Sequence, residues 1–278
     1  MDKIRTVILA AGKGTRMKSD LVKVLHPLLG LPMLSYTIDL SINRINAEKT
    51  IVVVGYQADR IRERFKDDPV QFVLQEEQLG TGHAVLQTLP FFQGFIGTVL
   101  ILCGDVPLVK AETLSSFVDA FRERDATLSV LTTVVNHPSG YGRIVRNAKG
   151  LIDRIVEEKD ADEEDRSIRE INTGIYCVKA SFLNDGLKEI EKENAQGEYY
   201  LTDLVEIATR RGLTCSAHRA EDPVEVMGIN TRADLARAYE VLRQEKAREL
   251  MLSGVTVVDP GTTYVDRKVE VGRDTVLH

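Results

Sequence analysis

The start of the chain carries a glycine-rich turn with two cations at short spacing. Residues 9–17 read Leu-Ala-Ala-Gly-Lys-Gly-Thr-Arg-Met, and Lys23 follows Arg16 by seven positions. Glycines let a backbone approach a nucleotide closely, and the N–H groups of such a turn bind phosphate oxygens. The turn alone could be purely structural, but the added positive charge of Arg16 and Lys23 favours phosphate binding. It is neither a Walker loop nor a G-x-G-x-x-G turn, because Met17 stands at the third glycine position, and this disfavours a dinucleotide-binding oxidoreductase.

A second candidate for chemistry is Asp105, which follows the apolar run Thr98–Leu102. In open α/β sheets, ligands bind at the carboxyl ends of the strands. A carboxylate at that position can hold Mg²⁺, which prefers oxygen ligands and shares its coordination with substrate phosphates. Asp105 could instead cap the turn before Pro107, and its sequence context leaves both interpretations open.

The elements that must position these residues alternate between short apolar runs and helical patterns. This alternation predicts a doubly wound, mostly parallel, Rossmann-like α/β domain. The predicted strands are Thr6–Leu9, Thr50–Val54, Val70–Val73, Thr98–Leu102 and Thr127–Val135. Apolar residues at helical spacing predict crossover helices over 33–45, Ala58–Phe65, Gly82–Leu89 and Glu112–Arg124.

From Asn136 onward the pattern changes to loops and isolated strands. The strands Leu151–Val156 and Ile171–Val178 enclose the acidic run Glu157–Asp165, and we expect an antiparallel insertion that decorates one edge of the sheet. Further predicted elements are the helices Phe182–Glu193 and Leu201–Arg211 and the strand Cys215–Arg219. Thr231 and Asp234 form a capping pair for a long helix that Gly254 should end.

The last segment has a different repeat. Val265, Val271 and Leu277 recur every six residues, and Gly272 follows Val271, as in hexapeptide β-helix repeats. One or two such rungs cannot bury their own faces, so we expect a chain truncated within this region. An ordinary C-terminal strand with chance spacing is the alternative. The predicted division is a catalytic domain over residues 1–230, a linking helix over 231–253 and the first β-helix rungs over 254–278.

Composition narrows the classes of partner. The 278 residues include 36 basic and 42 acidic side chains, a net charge of −6, which argues against nucleic acid or an anionic membrane surface as the main partner. No apolar stretch reaches membrane-spanning length and no signal peptide is visible, so we expect a cytoplasmic protein. Three scattered cysteines form no C-x-x-C pair, which argues against a disulfide framework or a zinc site.

Six ordered segments resemble those of a known family, the uridyltransferase domain of bacterial bifunctional N-acetylglucosamine-1-phosphate uridyltransferases. The likeness covers essentially the whole chain. The segments are A-A-G-K-G-T-R-M-K-S-D-L from Ala10, L-Q-E-E-Q-L-G-T-G-H-A from Leu74, G-D-V-P-L from Gly104, G-Y-G-R-I from Gly140, E-I-N-T-G-I from Glu170 and N-A-Q-G-E-Y-Y-L-T-D from Asn194.

The resemblance implies transfer of a uridylyl group from UTP to N-acetylglucosamine 1-phosphate, with release of pyrophosphate. The UDP-sugar formed would serve cell-envelope precursor synthesis, including peptidoglycan and lipopolysaccharide. The resemblance also implies a Mg²⁺ cofactor held by Asp105 and Asn230, with Arg16, Lys23 and Asp105 as catalytic residues. Asn230 could alternatively cap the helix that begins beside it.

The resemblance further implies two groups of binding residues. The nucleotide group is Leu9, Ala10, Ala11, Gly12, Lys23, Gln75, Gly80, Thr81, Cys103, Gly104, Asp105 and Asn230. The sugar group is Gly142, Glu157, Asn172, Tyr200 and Thr202. Within the sugar group, Glu157 could be part of a solvated acidic face and Tyr200 could be a core residue. His83 is interpreted as a packing residue, because phosphoryl transfer to an ionised sugar phosphate needs no base.

Two positions depart from the family pattern: Val22 replaces a proline before the lysine, and Cys103 replaces a tyrosine. Other interpretations are a pyrophosphorylase for another sugar, such as glucose 1-phosphate, and a non-catalytic nucleotide-sugar binding module. In the family resembled, a full β-helix domain transfers acetyl groups and drives trimer formation. We therefore expect no acetyltransferase activity from this chain, a homotrimer for the full-length form and a monomer or a weak assembly for this piece.

Overall fold

The computed structural model of the protein describes residues 3–278. Its strands are β1 (Ile4–Ala10), β2 (Pro27–Leu28), β3 (Leu31–Pro32), β4 (Lys49–Val54), β5 (Gln71–Leu74), β6 (Thr98–Cys103), β7 (Leu128–Val134), β8 (Arg143–Arg146), β9 (Ile152–Val156), β10 (Glu170–Lys179), β11 (Cys215–Arg219), β12 (Thr256–Val257) and β13 (Val276–Leu277). Its α-helices are α1 (Met33–Asp39), α2 (Ala58–Arg64), α3 (Thr81–Leu86), α4 (Ala111–Glu123), α5 (Glu163–Ser167), α6 (Ala180–Gly186), α7 (Asp203–Arg210) and α8 (Arg232–Leu252).

The main sheet has the strand order β11-β7-β10-β6-β1-β4-β5. Strand β1 lies in parallel between β4 and β6, β4 pairs in parallel with β5, and β11 pairs in parallel with β7. The prediction of a mostly parallel, doubly wound sheet is confirmed. Because the parallel strands share a direction, the carboxyl ends of β1 and β6 lie side by side and bring the glycine turn next to Asp105.

The sheet is covered on both faces. Along β1, Val7 belongs to one hydrophobic cluster and Ile8 to the other, since successive side chains of a strand point to opposite faces. The helix α4 shows how one cover is built, with buried residues at helical spacing, namely Leu114, Phe117, Val118 and Phe121. Continuous apolar runs in the strands follow from this two-sided burial.

The antiparallel insertion was expected at one edge of the sheet, and for one of its strands this prediction is wrong. Strand β10 does not decorate an edge: it lies inside the sheet, antiparallel to both β6 and β7. The β8–β9 hairpin attaches to β10 through a pairing of Arg143 with Ile171. The apolar residues of β10 fill a central gap, which explains why they are buried on both faces.

Two predicted helices also end differently. The helix expected over 33–45 is α-helical only to Asp39 and continues as a π-helix over Leu40–Arg44. The helix expected over Phe182–Glu193 begins at Ala180, passes into a 3-10 turn over Leu187–Glu189 and leaves Ile190 extended. Gly186 lies inside that stretch, and a glycine weakens a helix interior.

The C-terminal part begins with α8, whose capping box joins Thr231 and Asp234 as predicted. After Gly254, with φ of 94°, the chain turns back and β12 pairs in parallel with β13. Val265, Val271 and Leu277 all pack against one small cluster with Leu250, Val255 and Val257. The six-residue spacing therefore brings these side chains to a shared apolar centre. Among residues 3–278, no helix combines the length and apolar character that crossing a membrane requires.

Candidate active site

The glycine turn leaves β1 and is shaped by its contact with the Lys23 segment. Gly14 has φ of 62°, a left-handed conformation that glycine adopts without cost. A Cβ at Gly14 would lie 2.6 Å from the Cβ of Lys23. Only glycine at this position allows the two segments to approach as closely as they do, and this approach brings Arg16 and Lys23 to the same side.

Gly12 has a different environment. It is exposed, and a Cβ added there would have no atom of the protein within 4 Å. Nothing in the surrounding protein requires the absence of a side chain. Open space beside a glycine is what a backbone needs if it is to approach a phosphate group directly.

Lys23 begins a 3-10 turn over Lys23–Leu25, and Val22 before it is fully buried. The ammonium group of Lys23 donates a short hydrogen bond to the carboxylate Oδ2 of Asp105. It also lies 3.2 Å from the amide oxygen of Asn230. The lysine thus joins the end of β6 to the segment that precedes α8.

Arg16 completes the group, because its Nη2 donates to the same amide oxygen of Asn230 at 2.9 Å. The backbone N–H of Ile229 donates to the carbonyl of Asp105 at 2.9 Å, and the N–H of Gly104 donates to the carbonyl of Leu9 at 2.9 Å. These backbone bonds hold the three chain segments together. Arg16, Lys23, Asp105 and Asn230 therefore form one hydrogen-bonded cluster, which we call the charged cluster.

The alternative role of Asn230 as a helix cap is wrong. The side chain of Thr231 accepts from the N–H of Asp234, and Asp234 accepts from the N–H of Thr231. The side chain of Asn230 is free of this capping box and is directed to Arg16 and Lys23. Its oxygen accepts from the cationic groups of both residues, so it lies where positive charge is gathered.

The charged cluster has the donor set that a magnesium ion prefers. The carboxylate of Asp105 and the amide oxygen of Asn230 are hard oxygen ligands, and both contact the single ammonium of Lys23, so both face one cation-sized position. Within residues 3–278, no group of three or more His, Cys, Asp or Glu side chains is arranged to hold a metal. Two protein ligands fit Mg²⁺, which keeps several waters and is commonly bound with substrate phosphates.

The residues expected to contact the nucleotide base are held by a second loop. Gln75 is buried and donates from its Nε2 to the carbonyl of Gly80 at 3.0 Å. Gly80 has φ of 107°, and a Cβ there would meet the carbonyl of Tyr199 at 2.5 Å. The Nδ1 of His83 lies 3.1 Å from the same Gln75 nitrogen, so this histidine packs against Gln75. Thr81 accepts from the N–H of Leu201 at 3.1 Å, which ties this loop to the next.

The residues expected to contact the sugar also lie together. Asn172 donates its N–H to the carbonyl of Gly142 at 2.8 Å, and Thr202 donates to Glu157 Oε1 at 3.3 Å. A Cβ on Gly142 would lie 3.5 Å from both Asn172 Cβ and Glu157 Oε1. Tyr200 is buried beside them, and burial raises its pKa to about 12.

Glu157 is not part of a solvated acidic face. Burial raises the pKa of its carboxyl, and the hydrogen bond from Thr202 only partly offsets that effect. The neighbouring Glu158 is instead paired with the guanidinium of Arg143, which is almost fully buried. The first two residues of the acidic run thus have separate structural environments.

Cys103, where a tyrosine was expected, is directed toward the central strand β10. Its thiol donates to the carbonyl of Gly174 at 3.4 Å, and Gly174 has φ of 79°. Burial raises the pKa of the Cys103 thiol to about 12, so it is uncharged at neutral pH. The absence of a side chain at Gly174 makes room for this sulfur, because a Cβ there would lie 2.7 Å from it.

Two residues near the site, Gln57 and Arg232, carry no sequence signal, and a third, Asp203, ends the family segment that begins at Asn194 but has no role assigned from it. Gln57 donates to and accepts from the backbone of the segment before Lys23. The guanidinium of Arg232 contacts the carbonyl of Met17 at 3.3 Å and the ring of His26 at 3.2 Å. Burial, followed by nearby carboxylates, raises the pKa of Asp203 to about 7. Only their position in the folded chain distinguishes them from ordinary surface residues.

The fold and the charged cluster indicate the class of nucleotide-transferring enzymes, and comparison with known proteins agrees with that class. The chain belongs to the nucleotidyl transferase family, whose profile matches residues 5–223. A solved structure with a related fold is assigned as a glucose-1-phosphate thymidylyltransferase of Bacillus anthracis, crystallised with sucrose. It has a TM-score of 0.65 and 19% identity, covering 86% of this chain and 94% of that one.

Curated relatives are more similar in sequence and carry one name, bifunctional protein GlmU. The protein of that name from Geobacter metallireducens is 56% identical over all of this chain, and that from Geobacter sulfurreducens is 53% identical. A more distant relative, from a Geobacillus species, is 45% identical. The chain spans about three fifths of the length of these relatives, 58% to 60%. The predicted family resemblance is confirmed.

Proposed function

We propose that this chain transfers a uridylyl group from UTP to N-acetylglucosamine 1-phosphate. The observation that carries the proposal is the charged cluster, in which two cations and two oxygen ligands meet beside an open glycine turn. The 45% to 56% identity to bifunctional GlmU proteins supports this choice of reaction. The wider role in cell-envelope precursor synthesis follows from the product.

In the proposed reaction, an oxygen of the sugar phosphate attacks the α-phosphorus of UTP in line. A new P–O bond forms as the bond to the leaving pyrophosphate breaks, and no covalent enzyme intermediate is needed. Arg16 and the glycine turn hold the leaving phosphates. Lys23 offsets negative charge as the two anions converge, so the main contributions are positioning and charge stabilisation.

The cofactor proposed for the charged cluster is Mg²⁺, which neutralises phosphate charge when bound. Asp105 would hold it through a carboxylate oxygen and Asn230 through its amide oxygen. Lys23 contacts both ligands. We expect its ammonium to turn toward the phosphates when a metal takes the position between the two oxygens.

The remaining proposed contacts fall into a group that binds the nucleotide and a group that binds the sugar. Backbone groups of Leu9, Ala10, Ala11 and Gly12, with Gln75, Gly80 and Thr81, would bind the nucleotide, as would Cys103 and Gly104 beside Asp105. A buried glutamine suits a pyrimidine because its amide offers a donor and an acceptor. Gly142, Glu157, Asn172, Tyr200 and Thr202 would hold the sugar.

The proposal includes the domain division at residues 230 and 253, with the turn between β12 and β13 as the first coil of a left-handed β-helix. The parallel pairing of these strands and the shared packing of Val265, Val271 and Leu277 support it. A cytoplasmic location and a trimeric full-length protein belong to the same proposal.

The test is release of pyrophosphate from UTP, with and without N-acetylglucosamine 1-phosphate and Mg²⁺. We expect release only when both are present, and loss of release after metal chelation. Parallel reactions use glucose 1-phosphate in place of the amino sugar and dTTP in place of UTP. Faster turnover of either substitute would replace the proposed substrate, and binding of UTP without turnover would indicate a binding module instead.

A further inference from the structure

The backbone immediately before Lys23 is held by one side chain from a distant loop. The Oε1 of Gln57 accepts from the N–H of Val22 at 3.2 Å, and its Nε2 donates to the carbonyl of Asp20 at 2.7 Å. The Oε1 also lies 3.3 Å from a guanidinium nitrogen of Arg60. One amide side chain thus satisfies a donor and an acceptor of the same short segment.

The N–H of Val22 needs such a partner. Val22 is fully buried, and a buried backbone N–H without an acceptor is costly. At this position Val22 has φ of −57° and ψ of 138°, which a proline would adopt without strain. A proline would also remove the N–H. The valine therefore makes the segment depend on Gln57 for an acceptor and for a fixed conformation.

Gln57 is held in an unusual conformation to reach this segment. Its φ of 54° and ψ of 38° lie in the left-handed region, which residues other than glycine rarely adopt. The conformation aims the side chain at residues 20–22 from the residue before α2. A glycine at position 57 would be better suited to the backbone and would lack both hydrogen bonds.

We propose that Gln57 is a positioning residue that acts through Val22 to set Lys23 in the charged cluster. Val22 precedes the 3-10 turn of Lys23, and its carbonyl accepts from the N–H of Leu25 at 3.0 Å. A shift of Val22 therefore moves the Lys23 backbone away from Asp105 and Asn230. This inference rests on the proposed function, since it assigns Lys23 a role in turnover.

The first test compares Gln57→Gly with the unmodified chain in the pyrophosphate-release assay. We expect the turnover number to fall roughly tenfold, because two positioning hydrogen bonds are lost. The KM for UTP should change less than about threefold. The thermal midpoint should change little, because relief of the left-handed strain at position 57 offsets the cost of leaving the buried N–H of Val22 without its acceptor. Asn46→Gly is the matched control, an exposed residue with φ of 53° outside the cluster.

Two double variants then test whether Gln57 acts through Val22 and Lys23 or affects turnover by another route. Val22→Pro in the Gln57→Gly chain should restore turnover to within about threefold, since proline needs no acceptor and presets φ. In a Lys23→Ala chain, Gln57→Gly should have almost no further effect, because contributions that pass through one residue are not additive.

Normal turnover of Gln57→Gly, or a full additional loss in the Lys23→Ala background, would overturn the inference about Gln57. Both results leave the proposed function standing. Absence of pyrophosphate release from the unmodified chain would instead remove the proposed function itself.

Discussion

The amide oxygen of Asn230 lies 2.9 Å from a guanidinium nitrogen of Arg16, although the two residues are 214 positions apart in sequence. Arg16 lies in the turn that follows β1, and Asn230 lies just before the long helix α8. Their contact closes the charged cluster across nearly the whole chain. It also separates the function of Asn230 from that of its neighbour Thr231, which caps the helix.

This separation gives a prediction with two matched variants. Asn230→Ala should lower turnover at least roughly tenfold, which is the smallest loss usually seen when a residue that only supports a metal ligand is changed. The thermal midpoint should stay almost unchanged. Thr231→Ala should cost about 1 kcal/mol of stability through the lost cap and keep most of the turnover. Steady-state assays and thermal unfolding of both variants check it. Equal stability losses would contradict the assignment.

Lys23→Ala should lower turnover by roughly a hundredfold or more, comparable with the loss of one preorganised donor in other enzymes. Lys23 contacts both Asp105 and Asn230, and no other lysine in the charged cluster can replace it. Pyrophosphate release at saturating substrates is the measurement. Lys66→Ala, on an exposed residue paired with Glu63, is the control, and its turnover should equal that of the unmodified chain. Near-normal turnover of the Lys23 variant would remove this residue from the mechanism.

Two glycines should respond in opposite ways to substitution by alanine. Gly12→Ala places its methyl group in open space, so stability should be unchanged or rise by up to about 1 kcal/mol while the KM for UTP rises. Gly80→Ala meets the carbonyl of Tyr199 at positive φ, so it should cost at least about 2 kcal/mol. Denaturant unfolding and UTP titration of each variant distinguish them. A strong loss of stability in Gly12→Ala would show that the turn is structural.

The raised pKa of Asp203 predicts that the free energy of unfolding depends on pH. Burial and the nearby Glu206, Glu157 and Asp160 raise its pKa from 3.8 to about 7. The folded chain then holds a proton that the unfolded chain releases, so the free energy of unfolding falls as the pH rises from about 4 to about 7. Asp203→Asn should stabilise the protein at pH 8, by about 1–2 kcal/mol after allowance for screening of a partly exposed carboxyl.

The gain from Asp203→Asn should shrink toward pH 5, where the carboxyl of the folded chain is already protonated. Denaturant unfolding at pH 5 and pH 8 measures the difference. Asp59→Asn, at a carboxylate that is 99% exposed, is the control. A gain of equal size at both pH values would show that Asp203 acts through packing and not through its charge.

Much of the fold can be predicted from sequence because its strands are buried on both faces. The apolar runs of β1, β4 and β6 are long enough to define strands, and Asp105 directly follows one of them. The position of β10 cannot be predicted in this way, since an apolar run does not reveal which two strands it will separate. Pairing partners are set by the whole chain and not by the local pattern.

The charged cluster is similarly divided between predictable and unpredictable parts. The motifs that contain Arg16, Lys23 and Asp105 are local, and the family resemblance supplies Asn230. Gln57 has no comparable signal, because its role depends on a left-handed backbone and on a buried N–H at Val22. Asp203 ends a family segment, but its raised pKa cannot be predicted from the sequence, since only the folded environment shifts it.

The central position of β10 has a consequence for synthesis of the chain. Strands β6 and β7 are consecutive neighbours in sequence, yet each must wait for β10 before its inner edge is paired. While residues 170–179 are still inside the ribosome, the inner edge of β6 and both edges of β7 lack their partner strands, since β11 follows β10 in the chain, and such edges are where nascent chains associate wrongly. Slow translation just before residue 170 would prolong that exposed state, so codon choice in this stretch should influence the yield of correctly folded protein.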